Sequence, residues 1–374
     1  MKIIEAISDT NIGGAGVLLV NRLKHTDTAK YRTRVLLPKG SKLVPRILDT
    51  GVECIELDIA GDRSMDPCAI PEFLRAIKEY KPDIINSHGC MSSRIAATMC
   101  GVPINICTRH CVFPISSKYK LLKWFFAPVN SCLSDVFIAV ADAAKQNLIS
   151  LGIKDKKIKV IINGAEPLKK LDQMQKDHLL KELNIPQGST VLGFCARLEE
   201  CKGHDWFLKA LSELDRRGAN CVALFIGDGS QKTALIEKSR ELGVEKMVRF
   251  IGFVNDVSPY MNISHININC SVGTETSSLA LSEGMSIGLP AVVSDYGGNP
   301  YMVHDGLNGF VCSCYDYVRM ADCIQTLIND KNLYKRMSEE AYRRYYREFN
   351  ARSMTEKTNK LYDELYSAHR TANK

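Results

Sequence analysis

Two carboxylates, Glu275 and Glu283, are eight residues apart and follow an apolar run, His265–Cys270, that is typical of a buried strand. Ser277 or Ser278, which lie between them, can cap the start of a helix. A helix start offers free amide N–H groups and a positive dipole end, which suit a phosphate, and flanking carboxylates suit hydroxyl groups. The pattern predicts a site for a sugar–diphosphate–ribose ligand, and the alternative is a solvated carboxylate with a helix-dipole partner.

Two cations, Arg197 and Lys202, lie between a predicted strand, Thr190–Cys195, and the helix that follows it. Cations at the end of a strand and the start of a helix can bind an anion such as a diphosphate. The alternative is that both side chains are solvated on the surface, as most lysines and arginines are.

A glycine-rich turn, with Gly13, Gly14 and Gly16, follows the predicted strand Lys2–Ile7 and precedes a helix over Val17–Leu23. A strand, a glycine-rich turn and a helix in this order can cradle a phosphate. A tight turn that needs glycine for its backbone angles explains the same residues equally well.

Two histidines, His88 and His110, come directly after the predicted strands Asp83–Ser87 and Ile104–Thr108. Ligands of open parallel sheets bind at the carboxyl ends of strands. Either histidine is therefore a candidate hydrogen-bonding group at neutral pH, although a lone histidine is more often structural.

The elements that must position these residues alternate between strand and helix along the whole chain of 374 residues. This alternation predicts doubly wound parallel sheets, and the length fits two domains. We expect a first Rossmann-like domain over 1–165, a linker over 166–188 and a second Rossmann-like domain over 189–349.

The net charge of +7 is concentrated in the first half, since residues 1–165 carry +8 by count. This distribution predicts an anionic partner there, such as a membrane surface, a charged lipid or an acidic glycan. Fourteen cysteines without a ligand-like spacing predict reduced thiols and no zinc site. The sequence shows neither a signal-peptide pattern nor an apolar run of about 18 residues, so we expect a cytoplasmic location.

A basic and aromatic segment over residues 112–129 predicts a helix that lies on the inner face of an anionic membrane. The alternative is an ordinary helix with its aromatic side chains in the core, and nucleic-acid binding is not expected because no known binding module surrounds it. The residues that carry the membrane prediction are Lys118, Lys120, Lys123, Trp124, Phe125 and Phe126.

The Glu-x7-Glu unit, the following Gly-Met-Ser-Ile-Gly-Leu-Pro and Ser-Asp-Tyr-Gly-Gly segments and the Arg-Leu and Lys-Gly pairs together resemble glycosyltransferase family 4. Members of this family are retaining enzymes of the GT-B fold. The resemblance is strong over 190–312 and weak before 165, and Ala196 stands where the family usually has glycine. It implies two facing α/β domains with the catalytic cleft between them, and a last helix, 350–374, that packs back on the first domain.

The resemblance also implies roles for individual residues. Glu275 would contact donor-sugar hydroxyls and Glu283 the ribose, while Arg197 and Lys202 would bind the diphosphate. His110, rather than His88, would lie near the donor sugar and the acceptor. The other residues expected at the donor are Gly14, Gly16, Gly227, Asp228, Val254, Thr276, Ser277, Ser278 and Leu279.

The expected activity is transfer of a hexosyl or N-acetylhexosaminyl unit from a nucleotide sugar, with UDP as the preferred nucleotide, to a glycan or lipid-linked acceptor. No Asp-x-Asp motif occurs, so no essential metal or other cofactor is expected. Two alternatives remain open at this point: a nucleotide-sugar epimerase on the same fold, and a catalytically silent protein that binds sugar nucleotides or membranes.

Overall fold

The computed structural model describes residues 1–112, 127–273 and 275–372. In this part of the chain the residues form two compact units. The first unit contains Met1–Ala165 and the residues from Ala351 onward, and the second contains Glu166–Asn350. Residues 166–188, which the sequence predicts to be a linker, lie within the second unit.

Parallel β-strands form the centre of each unit. They are β1 Lys2–Ile7, β2 Arg32–Pro38, β3 Glu53–Leu57, β4 Ile84–His88, β5 Ile104–Arg109, β6 Val136–Ala139, β7 Ile158–Val160, β8 Thr190–Cys195, β9 Cys221–Ile226, β10 Val248–Gly252, β11 Ile266–Asn269, β12 Ala291–Ser294 and β13 Gly309–Cys312.

Helices connect most of these strands. They are α1 Gly14–Lys24, α2 Val44–Leu48, α3 Ile70–Tyr80, α4 Met91–Met99, α5 Asp142–Ser150, α6 Gln173–Glu182, α7 His204–Arg216, α8 Lys232–Glu241, α9 Ser258–Ile263, α10 Leu279–Ser286, α11 Asn299–Met302, α12 Tyr317–Asn329, α13 Lys331–Arg344 and α14 Ala351–Ala372.

The strand orders are those of doubly wound sheets. The first unit has the order β3-β2-β1-β4-β5-β6-β7 and the second has β10-β9-β8-β11-β12-β13. Neighbouring strands in both sheets pair in parallel. The predicted fold class, two Rossmann-like α/β domains, is therefore confirmed.

Buried apolar residues cover the sheets of both units, as parallel sheets require. In the second unit the core is aromatic and includes Phe194, Trp206, Phe207 and Phe225, all at most 2% exposed. In the first unit the central strand β1 is buried from Ile3 to Ile7. The carboxyl ends of the strands are thereby fixed in place, and the candidate site residues lie at these ends.

The last helix, α14, belongs to the first unit although it follows the second unit in the chain. It packs on α1, where the hydroxyl of Thr355 donates a hydrogen bond to the carbonyl oxygen of Arg22 at 3.2 Å. Its side chain Tyr362 is fully buried.

Candidate active site

The second unit brings Lys202 and Glu275 together at the carboxyl end of its sheet. Lys202 ends a short 3₁₀ turn, Glu200–Lys202, after strand β8, and its Nζ lies 2.9 Å from Oε2 of Glu275. The side chains are only 15% and 9% exposed. Residues 73 positions apart in sequence therefore form one partly buried ion pair.

Glu275 is held by two further donors on strand β11 and just beyond it. The Ser271 hydroxyl donates to Oε2 of Glu275 at 2.8 Å, and the Asn269 side-chain amide donates to the same oxygen at 3.3 Å. Because Lys202 and these two donors share Oε2, the carboxylate has a fixed orientation. Asn269 and Ser271 are site residues that the sequence reasoning missed, although polar residues at the end of an apolar strand are the signal that points to them.

Two glycine contacts hold the loop that carries Glu275. A Cβ atom at Gly297, whose φ is +61°, would collide with the carbonyl oxygen of Glu275. A Cβ atom at Gly298 would collide with the carbonyl oxygen of Thr276. The Ser-Asp-Tyr-Gly-Gly segment therefore supports the candidate site through close backbone packing.

Helix α10 begins beside Glu275, at Leu279, as the sequence predicts. Of the two candidate caps, it is Ser278 that accepts a hydrogen bond at its Oγ from the Leu281 amide, at 3.3 Å. The first-turn amides have no acceptor within the helix, so this end can bind an anion. Ser277 and Thr276 lie in the loop just before the helix.

Glu283 lies inside α10, on its second turn, and is half-buried. Burial, followed by the negative charge of Asp256, raises the pKa of Glu283 to about 7. The two carboxylates eight residues apart are therefore in different electrostatic environments. Glu275 has a cationic partner, whereas burial is the main influence on the pKa of Glu283.

The other predicted donor residues lie on neighbouring loops of the same sheet edge. Gly227, at φ +147°, packs against the Ala196 backbone and donates its amide to the Gly252 carbonyl oxygen at 2.9 Å. Asp228 is exposed and accepts from the Gly229 amide at 2.9 Å. Val254 is half-buried just after β10.

Arg197 differs from Lys202. It is exposed on the loop after β8, where its charge helps to lower the pKa of Glu199, after the stronger effect of hydrogen bonds from Ser230. Within the described residues, Lys202 contacts Glu275 and Arg197 does not. The two predicted cations thus share a loop but are not brought to the same carboxylate.

In the first unit, Gly14 and Gly16 form the first turn of α1 and Gly13 is the residue just before it. All three lie outside the positive-φ region, so the expected alternative of a turn that needs glycine angles is wrong for them. A Cβ atom at Gly16 would lie 2.6 Å from the Leu43 side chain, whereas one at Gly14 would meet nothing within 4 Å. Close packing against Leu43 explains the glycine at position 16, whereas Gly14 leaves open space at the start of α1.

The two histidines of the first unit contact each other. Nδ1 of His88 lies 2.8 Å from Nε2 of His110, and Nε2 of His88 lies 2.8 Å from Oε2 of Glu5. Glu5 is fully buried in the central strand β1 and also binds Arg22. The sequence reasoning missed Glu5, whose signal is a carboxylate inside an otherwise apolar strand.

Some predictions fall on residues that are not described. The membrane prediction rests on residues 118–126, which lie outside the described ranges. Among the described helices, none is long and apolar enough to cross a membrane. The described His, Cys, Asp and Glu side chains include no group of three or more arranged to hold a metal ion.

Two family models match the chain, one on each half. The model for "Glycosyltransferase Family 4" matches residues 12–167, and the model for "Glycosyl transferases group 1" matches residues 175–344. Together they contain all the site residues described above except Glu5.

Characterised relatives and solved structures are similar to most of the chain. An Escherichia coli UDP-Gal:alpha-D-GlcNAc-diphosphoundecaprenol alpha-1,3-galactosyltransferase is 25% identical over 302 residues, which are 78% of each chain. A Bacillus anthracis N-acetyl-alpha-D-glucosaminyl L-malate synthase is 25% identical over 61% of this chain and 59% of its own. The crystal structure of Anabaena HepE with UDP and glucose has a TM-score of 0.84 at 20% identity, covering 97% of this chain and 99% of that one.

Proposed function

This chain belongs to glycosyltransferase family 4 and is a GT-B glycosyltransferase that acts on nucleotide sugars, and we propose that it transfers a hexosyl or N-acetylhexosaminyl unit from a UDP-sugar with retention of configuration. The observation that carries the proposal is the Lys202–Glu275 ion pair beside the Ser278-capped start of α10. A cation, a carboxylate and free helix amides are the groups that a diphosphate and a sugar require.

Lys202 supports departure of the nucleoside diphosphate. Its ammonium group has three N–H bonds, of which one reaches Glu275, so the others can bind phosphate oxygens. Arg197 on the same loop and the amides of α10 add fixed positive charge. We propose that this charge replaces the metal of Asp-x-Asp glycosyltransferases, so that neither metal nor other cofactor is required.

The two carboxylates bind rather than react in this proposal. Glu275 accepts hydrogen bonds from donor-sugar hydroxyls and Glu283 accepts them from the ribose. The bond from C1 of the sugar to the phosphate oxygen breaks, and its electron pair stays on UDP. The acceptor oxygen bonds to C1 from the same face, and its proton passes to a phosphate oxygen of UDP. His110 lies near the reacting sugar and the acceptor.

The relatives support the choice of donor and acceptor. The similar Anabaena structure contains UDP, and the Escherichia coli relative uses UDP-Gal and a diphosphoundecaprenol-linked sugar. The positive charge of residues 1–165 suits an anionic or membrane-borne glycan acceptor. We therefore propose a role in cell-surface glycan synthesis, at the cytoplasmic face of a membrane.

The test is nucleotide release from UDP-, GDP- and ADP-sugars in the presence of EDTA, with and without a polyprenyl-diphosphate-linked acceptor. Wild type is compared with Lys202→Ala and with Lys209→Ala, which removes an exposed lysine of α7 that forms an ion pair with Asp205 at 3.6 Å. Release from a UDP-sugar that is lost in Lys202→Ala and kept in Lys209→Ala is the expected result. An epimerised sugar from donor and water alone would replace the transferase proposal with an epimerase.

The stereochemical part of the proposal has its own readout. The anomeric configuration of the new bond, measured by NMR of the product, must match that of the donor sugar. An inverted product would contradict retention while leaving the glycosyltransferase assignment intact.

A further inference from the structure

Glu5 is a fully buried carboxylate whose two oxygens receive four donors. Arg22 and the hydroxyl of Tyr362, at 3.0 Å, bind Oε1. The Asn86 side-chain amide, at 3.0 Å, and Nε2 of His88, at 2.8 Å, bind Oε2. The parallel register pairs Glu5 with Asn86 and Ile7 with His88, which places these side chains on one face of the sheet.

The ionisation of Glu5 follows from these contacts. Burial by itself raises the pKa of Glu5, but the charge of Arg22 and the interaction with His88 outweigh it, so the pKa lies below its ordinary value. An ionised carboxylate only accepts hydrogen bonds. The hydrogen between His88 and Glu5 must therefore be on Nε2 of His88.

The tautomer of His110 follows from that of His88. A neutral His88 that carries its hydrogen on Nε2 has a lone pair on Nδ1, and Nδ1 lies 2.8 Å from Nε2 of His110. Two lone pairs cannot face each other at that distance, so Nε2 of His110 carries a hydrogen. Burial lowers the pKa of His110 well below its usual value, so His110 is neutral. Its Nδ1 then holds the lone pair.

The charge balance of the cluster favours this arrangement. Arg22 already neutralises Glu5, so a neutral His88 leaves the buried group uncharged. The reverse arrangement needs a doubly protonated His88, which would add a second buried cation. Asp9, in the loop after β1, is another acid whose charge reaches His88. Burial raises the pKa of Asp9, so Asp9 is less able to stabilise a positive charge on His88.

We propose that Glu5 and His88 are positioning residues that fix His110 in the tautomer with hydrogen on Nε2 and a lone pair on Nδ1. The ring of His110 then has an acceptor, and not a donor, at Nδ1, an atom that is buried in the structure. This inference rests on the proposed role of His110 beside the sugar and the acceptor. Glu5 and His88 support that role through His110, and neither of them touches the substrate.

The direct test is nitrogen NMR of the full-length protein labelled with ¹⁵N-histidine. The His110 signals are assigned by their loss in His110→Gln, since the chain has 8 histidines. Hydrogen on Nε2 of His110 in the wild type is the expected result. Hydrogen on Nδ1 of His110, or a doubly protonated His88 at neutral pH, would overturn the proposal.

Two variants test the cause. In Glu5→Gln, the side-chain amide can face Nε2 of His88 as a donor, which reverses both tautomers. Tyr362→Phe is the matched control, because it removes a donor from the other oxygen of Glu5 and keeps the His88 contact. The tautomer of His110 should change in Glu5→Gln and persist in Tyr362→Phe. His88→Phe, which removes the acceptor, serves if Glu5→Gln does not fold, and an unchanged tautomer in the folded variant would overturn the proposal.

A kinetic arm separates this inference from the proposed function. UDP affinity should be unchanged in folded Glu5→Gln, because Arg197, Lys202 and Glu283, which are proposed to bind the diphosphate and the ribose, lie in the other unit. Transfer at saturating donor should fall by about tenfold to a hundredfold, as is usual when a supporting partner is lost. Wild-type protein that has the expected tautomer but transfers no sugar would refute the proposed function alone. Wild-type protein that transfers sugar with the opposite tautomer would refute the positioning role alone.

Discussion

Each unit contains a glutamate paired with a cation, and the two pairs differ in how completely they are closed. Glu5 and Arg22 are 0% and 6% exposed, and both oxygens of Glu5 are occupied. Lys202 remains 15% exposed, and the three donors to Glu275 among the described residues all bind Oε2. A carboxylate with both oxygens occupied can only hold structure and orient its neighbours, whereas a carboxylate with a remaining acceptor can bind a ligand. We therefore propose that a glutamate–cation pair serves stability in the first unit and ligand binding in the second.

The largest expected effect concerns the Glu5–Arg22 pair and is a loss of stability. Arg22→Met leaves Glu5 buried without its cation, which should lower the stability of the first unit by about 3–5 kcal/mol. Hydrogen exchange of the β1 amides measures the opening of this unit by itself. Arg34→Met is the control, since Arg34 pairs with a half-exposed Glu53 and should cost about 1 kcal/mol or less. Equal losses in the two variants would contradict the distinction.

The next largest effect concerns the Lys202–Glu275 pair, and it should appear as a loss of activity. Lys202→Ala removes the charge nearest the proposed leaving group, so sugar transfer should fall by roughly a hundredfold to a thousandfold. Its effect on stability should be smaller, about 1–2 kcal/mol, because Ser271 and Asn269 still bind Glu275. Initial rates and thermal unfolding check the two parts. A variant that unfolds as readily as Arg22→Met would make Lys202 a structural residue.

Two glycine variants, one in each unit, test the role of close backbone packing. Gly298→Ala places a methyl group against the Thr276 carbonyl and should destabilise the second unit by about 1–3 kcal/mol while reducing transfer. Gly14→Ala places the same methyl group in open space at the start of α1. If Gly14 approaches the donor, its variant should lose transfer without losing stability, as measured by parallel rate and melting experiments. Full activity in Gly14→Ala would remove Gly14 from the donor site.

The smallest expected effect concerns Glu283, whose pKa is raised to about 7 mainly by burial. A carboxyl with a raised pKa in the folded protein stabilises the fold most when it is protonated. Its contribution is complete below the unfolded value of 4.5 and is lost as the pH rises through about 7. Stability should therefore fall by about 1–2 kcal/mol from this group between pH 6 and 8. Melting curves of Glu283→Gln should lack this component, and an identical pH dependence would contradict the assignment.

Local patterns were sufficient to predict the strand, loop and helix around Glu275 in the second unit. The strand, the capped helix and the glycine segment around Glu275 are contiguous in sequence, so propensity and spacing describe them well. The choice between Ser277 and Ser278 as the cap was not predictable, because it depends on where the first helical amide lies. The Lys202–Glu275 contact joins two separate loops, and the sequence did not predict it, because the family resemblance implied a role for each residue and no contact between them.

The network around Glu5 could not be predicted in the same way. Its members lie on four elements, β1, α1, β4 and α14, which extend over almost the whole length of the chain. These members are Glu5, Arg22, Asn86, His88 and Tyr362. Sequence periodicity predicts that a position in a central strand is buried, and it therefore argues against a charge there. Only the assembled sheet shows that four donors compensate for that charge. The histidine at position 88, predicted as the weaker candidate, is the residue that connects this network to His110.

The contribution of Tyr362 also has a consequence for synthesis of the chain. Helix α14 emerges from the ribosome only after the whole of Glu166–Asn350 has been made. At about 5–20 residues per second, that interval lasts on the order of ten seconds or more. During this time the nascent first unit has its sheet residues but lacks the hydroxyl that completes the shell around Glu5. The first unit to be translated is thus the last to reach its finished interior, and chain completion is coupled to the maturation of the half that carries His110.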